Sequence, residues 1–322
     1  KQDQDTANDK YTGLEARAHQ LVIKYSSAWS FLVPEILQLD EATIQSFIDS
    51  NDDLKRYEFD LKLINEKRPH ILDANTEKLL TEAQDALSTP SNVYGMFSNA
   101  DLEFEDAIDK DGQAYPLTQG TFIKYLESDD RELRASAFRN VYKAYGAHNN
   151  TLGATLAGEV KKNVFNARTH HYRSARERAL SNNHIPEAVY DNLIKTVHKY
   201  LPLLHRYTKL RQELLGLDDL KMYDLYTPLV KDVKFEMPYE EAKSWMLKAL
   251  EPMGEEYLNV VKEGLDNRWV DVYENKGKRS GGYSSGGHLT NPFILLNWSD
   301  TVSDLYTLVH EFGHSAHSYF SR

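Results

Sequence analysis

The chain has 322 residues, 41% hydrophobic and 27% charged, which excludes a low-complexity or disordered polymer and, at about 100 to 200 residues per domain, suggests two domains. A formal net charge of −11 repels phosphates, so nucleic acid is not an expected partner. With no cysteine there is no disulfide framework and no thiolate chemistry, and any metal site must draw on His, Asp and Glu.

The opening KQDQDTANDK has neither an apolar signal core nor an initiator Met, and the chain is expected to be a piece whose natural beginning lies upstream. From residue 11 to about residue 87 apolar residues recur at helical spacing: Leu14, Ala18, Leu21 and Tyr25, then Ile44, Phe47 and Ile48, then Tyr57, Leu61 and Ile64. Polar breaks at residues 39–41 and 68–70 separate these helices. Two short extended runs then flank residues 109–112, a turn sequence able to supply the positive φ of a hairpin. A boundary is placed near residue 115, between a helical N-terminal lobe ending in that hairpin (1–115) and a second, also mostly helical region (116–322).

Helical patterns resume at residues 131–148 and 152–168 and again after Ile185, where Pro186 suits a first turn. The basic stretch 161–178 reads as a solvated helix face. Single-strand recognition needs aromatic platforms beside the cations, and only Phe165 and Tyr172 are near. At Lys276 the pattern changes: KGKRSGGYSSGG holds five of the 16 glycines and gives way to the apolar run PFILLNW. A phosphate-cradling loop would pass into a helix and end in GKS or GKT; this one feeds a buried strand and reads as a flap over a cleft. The longest apolar stretch, residues 293–296, is far short of the roughly 20 residues that cross a bilayer, so no membrane association is expected. The missing cysteines fit a reducing compartment, and a cytoplasmic setting is the expectation.

The last segment, SDTVSDLYTLVHEFGHSAHSYFSR, carries the chemistry. Thr301 and Asp304 form a capping-box-like helix start. At 100° per residue Leu305, Leu308, Phe312, Ala316 and Phe320 share one face, while His310, His314 and His317 gather within about 60° on another. Imidazoles four residues apart can converge on one ion at about 2.0 to 2.1 Å. Glu311, about 100° round from His310, is placed to touch a water beside that ion rather than to ligate it. Roughly 0.03 HExxH matches arise by chance in a chain of this composition, and the capped amphipathic helix makes accident less plausible still. His317 is read as a residue supporting the ligands, since a catalytic zinc keeps one position open. The helix then runs to Arg322 with no Gly, Asn or Pro to stop it, and the chain is expected to be cut there also.

HEFGHSAH, preceded by KRSGGYS, NPFILLNW and SDTVSDLYTLV, resembles the thimet-oligopeptidase-like zinc metallopeptidases, in particular the oligoendopeptidase F branch. RERALSNNHIPEAVYDNLI and YDLYTPL resemble the same branch, and the likeness covers nearly the whole chain. The resemblance implies a mostly α zincin-like fold with a small β-sheet beside the HExxH helix and a cleft between lobes; residues 116–322 would be the first part of the catalytic domain. It further implies one Zn2+ held by His310 and His314, Glu311 as catalytic base, and a third ligand, a Glu, beyond Arg322. Gly281 and Gly282 stand where the family pattern has Gly followed by Ala. The implied activity is hydrolysis of short unstructured oligopeptides. Gly281, Gly282 and Tyr283 of the flap are candidate substrate contacts, as are Phe293 and Leu295 of a strand (residues 292–298) that could pair with an extended peptide. The alternative is a catalytically inactive peptide-binding or scaffold fragment, because the third ligand is missing.

Overall fold

The computed structural model describes residues 1–230 and 235–322. It is mostly helical, and the strands among the described residues are short: β1 (Ala107–Ile108), β2 (Ala114–Tyr115), β3 (Val270–Tyr273), β4 (Tyr283–Ser285) and β5 (Phe293–Trp298). No helix among the described residues is long and apolar enough to cross a membrane. Two compact units emerge, neither continuous in sequence. One comprises Lys1–Tyr11, Met96–Asn149 and Pro202–Arg322; the other comprises Thr12–Gly95 and Asn150–Leu201. Within the first of these units the β1–β2 hairpin packs on the helix Arg131–Gly146 that follows it.

In the second unit local signals set the helix starts. Asp40 accepts from Thr43 N at 2.7 Å, and Asp73 accepts from Asn75 N and Thr76 N, each satisfying amides that a helix N-terminus leaves unpaired. A close approach at Gly158, where a Cβ would stand 2.9 Å from Pro90, brings distant segments together. Three cations of the basic stretch are committed to carboxylates: Lys162 to Glu159, Arg173 to Glu177 and Glu187, and Arg176 to Glu187 and Asp191.

The first unit holds the principal core. Met237, Ala242, Met246 and Val261 pack with Ile294, Leu296 and Trp298 of β5 and with Leu308 and Phe312 of the helix Val302–Phe320. Alternate residues of β5 therefore face that helix, as a period of two requires. The order in this sheet is β3-β5-β4, with β5 parallel to β3 and antiparallel to β4. Gly264 lets the helix Glu255–Asp266 close onto this core: a Cβ there would lie 2.7 Å from both the Phe312 and the Trp269 rings. Neither ring has room to retreat, since Trp269 is 1% exposed and Phe312 is fully buried.

Elsewhere in the unit a buried carboxylate, Asp224, receives Arg134 at 2.8 Å and Arg131 at 2.9 Å. Burial pushes the Asp224 carboxyl up, but the hydrogen bonds from Arg131, Arg134 and Lys221 N outweigh it and hold the group below the usual carboxylate range.

Two outcomes follow from this packing. Gly264→Ala is expected to destabilise the protein by about 1 to 3 kcal/mol, from overpacking against two rings, as read by urea unfolding. Asp224→Ala strands Arg134 in the interior and is expected to cost about 3 to 5 kcal/mol near neutral pH. Because the folded carboxyl titrates low, its contribution is complete above the ordinary value of 3.8 and fades as pH falls through the folded value. The stability gap between native protein and variant should accordingly narrow only below about pH 4, in unfolding curves taken across that range.

Candidate active site

The helix Val302–Phe320 begins as its sequence requires: Asp304 N donates to Thr301 Oγ1 at 3.2 Å, while Thr301 N donates to Asp304 Oδ2 at 2.8 Å. This reciprocal cap fixes where the helix starts. Burial of Leu308, Phe312 and Ala316, each 2% exposed or less, fixes how it is turned. Phe320, expected on the same face, is instead about half exposed, because it lies in the last turn, past the neighbours that cover Phe312 and Ala316.

With the helix so turned, His310 and His314 point outward and are exposed. Their ring centroids stand 4.7 Å apart at 78°, and their Nε2 atoms converge to 3.0 Å. Two nitrogens bound at about 2.0 to 2.1 Å to one tetrahedral ion stand about 3.3 Å apart, so an opening of a few tenths of an ångström would admit the ion. The pair fits a zinc ion in donor type, convergence and spacing. Among the described residues no group of three or more His, Cys, Asp or Glu forms a complete ligand set.

Glu311 is buried, at 7% exposed, although it is charged and lies on the helix's open side. Its burial has a local cause. β4 and its flanks lie against the helix through small residues only: a Cβ on Gly282 would be 3.1 Å from the Thr307 methyl, Ser284 Oγ lies 2.7 Å from Ser315 Oγ, and a Cβ on Gly286 would meet Ser318 Cβ at 2.7 Å. Thr307, Glu311 and Ser315 succeed one another every four residues along one helical row, which puts Glu311 on the row that β4 approaches. Residues 282–286 with Glu311, His314, His317 and Ser318 line a cleft of about 530 Å3.

Of the expected site residues, the cleft therefore brings together Gly282, Tyr283, Glu311, His314 and His317, with His310 hydrogen-bond close to His314. Gly281 does not line it. With φ of +84°, and with its carbonyl accepting from Asn297 Nδ2 at 2.8 Å, it makes the turn into β4. Tyr283 lines the cleft, but its hydroxyl donates to Asp3 Oδ2 at 2.6 Å. The strand expectation needs correction: β5 is central, paired on both sides, and has no edge to offer a peptide. Leu295 is correspondingly buried at 4% exposed, and exposed Phe293 is not among the cleft residues. The outer strand β4 occupies the position first assigned to β5. Ser284, Ser285, Gly286 and Ser318 were not anticipated as cleft residues; small residues at 282, 284 and 286 are a signal for the first and third of them, and nothing local marks Ser285 or Ser318.

The site is thus an outward pair of imidazoles beside a buried glutamate, on a helix flanked by a sheet edge. The chain belongs to peptidase family M3, whose model matches residues 124–322, and a second model, oligopeptidase F, matches residues 35–104. Oligopeptidase PepF of Bacillus subtilis is 54% identical over 320 residues, covering 99% of this chain and 48% of that protein. Group B oligopeptidase PepB of Streptococcus agalactiae is 47% identical over 322 residues, covering all of this chain and 53% of that one. The crystal structure of oligoendopeptidase-F from Enterococcus faecium matches with a TM-score of 0.72 and 39% identity, over 99% of this chain and 53% of that one. The chain spans about half the length of the curated relatives it matches.

The two flap glycines should respond differently to substitution. Gly281→Ala forces a side chain into a left-handed backbone, at a cost of about 1 to 2 kcal/mol. Gly282→Ala asks only that Thr307 and Leu296 give way slightly, and is expected to stay within about 1 kcal/mol of the native protein. Paired urea titrations would rank them; the reverse order would contradict the turn geometry.

Proposed function

We propose that this chain forms the greater part of the catalytic helix, cleft and sheet of a zinc endopeptidase that hydrolyses short, unstructured oligopeptides. One observation carries the reading: the converged Nε2 atoms of His310 and His314 beside the buried carboxylate of Glu311. The naming of PepF and PepB as oligopeptidases supports the substrate class. The gap between the two matched regions, residues 105–123, supports a module boundary near residue 115.

His310 and His314 would hold the ion, and the family pattern adds a glutamate as third protein ligand, a role filled by none of the described residues. When bound, the ion supplies Lewis acidity, bringing the pKa of water to about 7 and polarising a carbonyl oxygen. Glu311 takes the proton of the attacking water and returns it to the amine nitrogen as the C–N bond breaks, so one carboxylate serves as base and then as acid. No covalent bond to the enzyme is required. Its position beside β4 withholds the carboxylate from bulk water and aims it along the cleft. The outer edge of β4 is the surface on which an extended peptide would lie, gaining affinity from main-chain hydrogen bonds and little side-chain selectivity. His317, exposed on the cleft wall one turn beyond His314, faces the cleft and is assigned no ligand role.

The decisive experiment uses the full-length enzyme. Glu311→Gln is expected to keep one zinc per chain, read by metal analysis after dialysis, while cleavage of a quenched peptide falls by about 10²- to 10⁴-fold. His314→Ala should lose both zinc and activity. Unchanged turnover in Glu311→Gln would reject the assigned base, and zinc retained by His314→Ala would reject the ligand.

A further inference from the structure

The first residues of the chain lie against the loop that leads into β4, some 270 positions away in sequence. Thr6 N and Thr6 Oγ1 each reach the Gly277 carbonyl at 2.7 Å, and Arg279 N donates to the Asp3 carbonyl at 2.8 Å. Asn275 Nδ2 donates to the Gln4 carbonyl at 2.9 Å, and Gln4 Nε2 donates to the Asp271 carboxylate. That carboxylate also receives Lys278, whose side chain is wholly buried. The contacts finish on Tyr283, the first residue of β4, through its 2.6 Å hydrogen bond to Asp3.

This loop needs an external support. It contains Gly277 at φ +79° and Gly281 at φ +84°, and glycine loses more freedom on ordering than any other residue. β4 is three residues long and pairs on one side only. Residues 3–6 satisfy the loop's polar groups where no sheet ladder does. Burial, then the hydrogen bond to Asp3, push the Tyr283 phenol up, which keeps its hydroxyl a donor and removes it from proton transfer.

We propose that residues 3–6 are a positioning strap for the peptide-binding edge, with Asp3 and Tyr283 as its coupling pair: they hold β4 in the place where an incoming peptide pairs with it. The proposal rests on the peptidase reading above and adds to it a determinant of affinity lying far from the motif in sequence. An edge held in its bound conformation spares a ligand the cost of ordering it. The strap should therefore govern peptide binding and leave the chemical step alone.

The test measures peptide binding without cleavage, in full-length Glu311→Gln enzyme, by titration of a fluorescent oligopeptide. Adding Tyr283→Phe, or Asp3→Asn, is expected to weaken binding by about tenfold, the scale of one charge-assisted hydrogen bond. The double substitution should be no worse than either single one. With Glu311 restored, the KM of the Asp3→Asn enzyme should rise by the same factor while its kcat stays within about twofold. Zinc content should not change. Tyr283→Phe removes a single oxygen and serves should Asp3→Asn fail to fold. Native affinity in both variants, effects that multiply in the double, or a fall in kcat with KM unchanged would each overturn the proposal. Failure of the peptidase reading looks different, appearing as full turnover by the Glu311→Gln enzyme itself.

Discussion

With Leu308, Phe312 and Ala316 packed to near-zero exposure between β5 and the helix Glu255–Asp266, the helix Val302–Phe320 has one rotational setting available to it. Turning it by even one residue's worth, about 100°, would drive an imidazole into hydrocarbon. The capping pair Thr301 and Asp304 fixes the other degree of freedom, its position along the axis. A hydrophobic constraint thus sets the direction of two polar rings, and the 3.0 Å approach of His310 to His314 is its consequence. Gly264 belongs to the same device, since only a residue without a side chain lets the neighbouring helix close on Phe312.

Placing Glu311 takes a second constraint. A carboxylate on the open side of a surface helix would ordinarily be well hydrated, and here it is 7% exposed. What covers it is a strand whose helix-facing positions carry no side chain beyond a hydroxymethyl. Gly282, Ser284 and Gly286 bring β4 within van der Waals reach of Thr307, Ser315 and Ser318. The glycine-rich segment is thus a spacer set to a thickness, as well as a connection, and residues 3–6 supply the hydrogen bonds that such a pliable segment lacks.

Much of this could be read before any coordinates. The helix 302–320, its cap, its apolar stripe and the outward histidines follow from a period of 3.6 and one capping box. The hairpin turn at Gly112 follows from glycine's tolerance of positive φ, and the helices Arg131–Gly146 and Asn149–Thr169 from periodicity. The sheet was harder. β3 is four residues and β4 three, too short for an alternation to register, so nothing in the sequence showed that β5, expected to pair with a peptide, has a neighbour on each side. Leu295, expected to meet substrate, is instead buried on the face of β5 opposite to Ile294 and Leu296. Asp3 could not have been linked to Tyr283 at all, since a single hydrogen bond across 280 residues leaves no local pattern.

The most direct test of the whole scheme is crystallographic, using full-length enzyme purified with its metal and diffraction collected on both sides of the zinc absorption edge. An anomalous peak within about 2.0 to 2.1 Å of both the His310 and His314 Nε2 atoms, with the Glu311 carboxylate alongside but outside bonding distance, is the expected result. A peak elsewhere in the molecule, or imidazoles turned away from a common point, would contradict it.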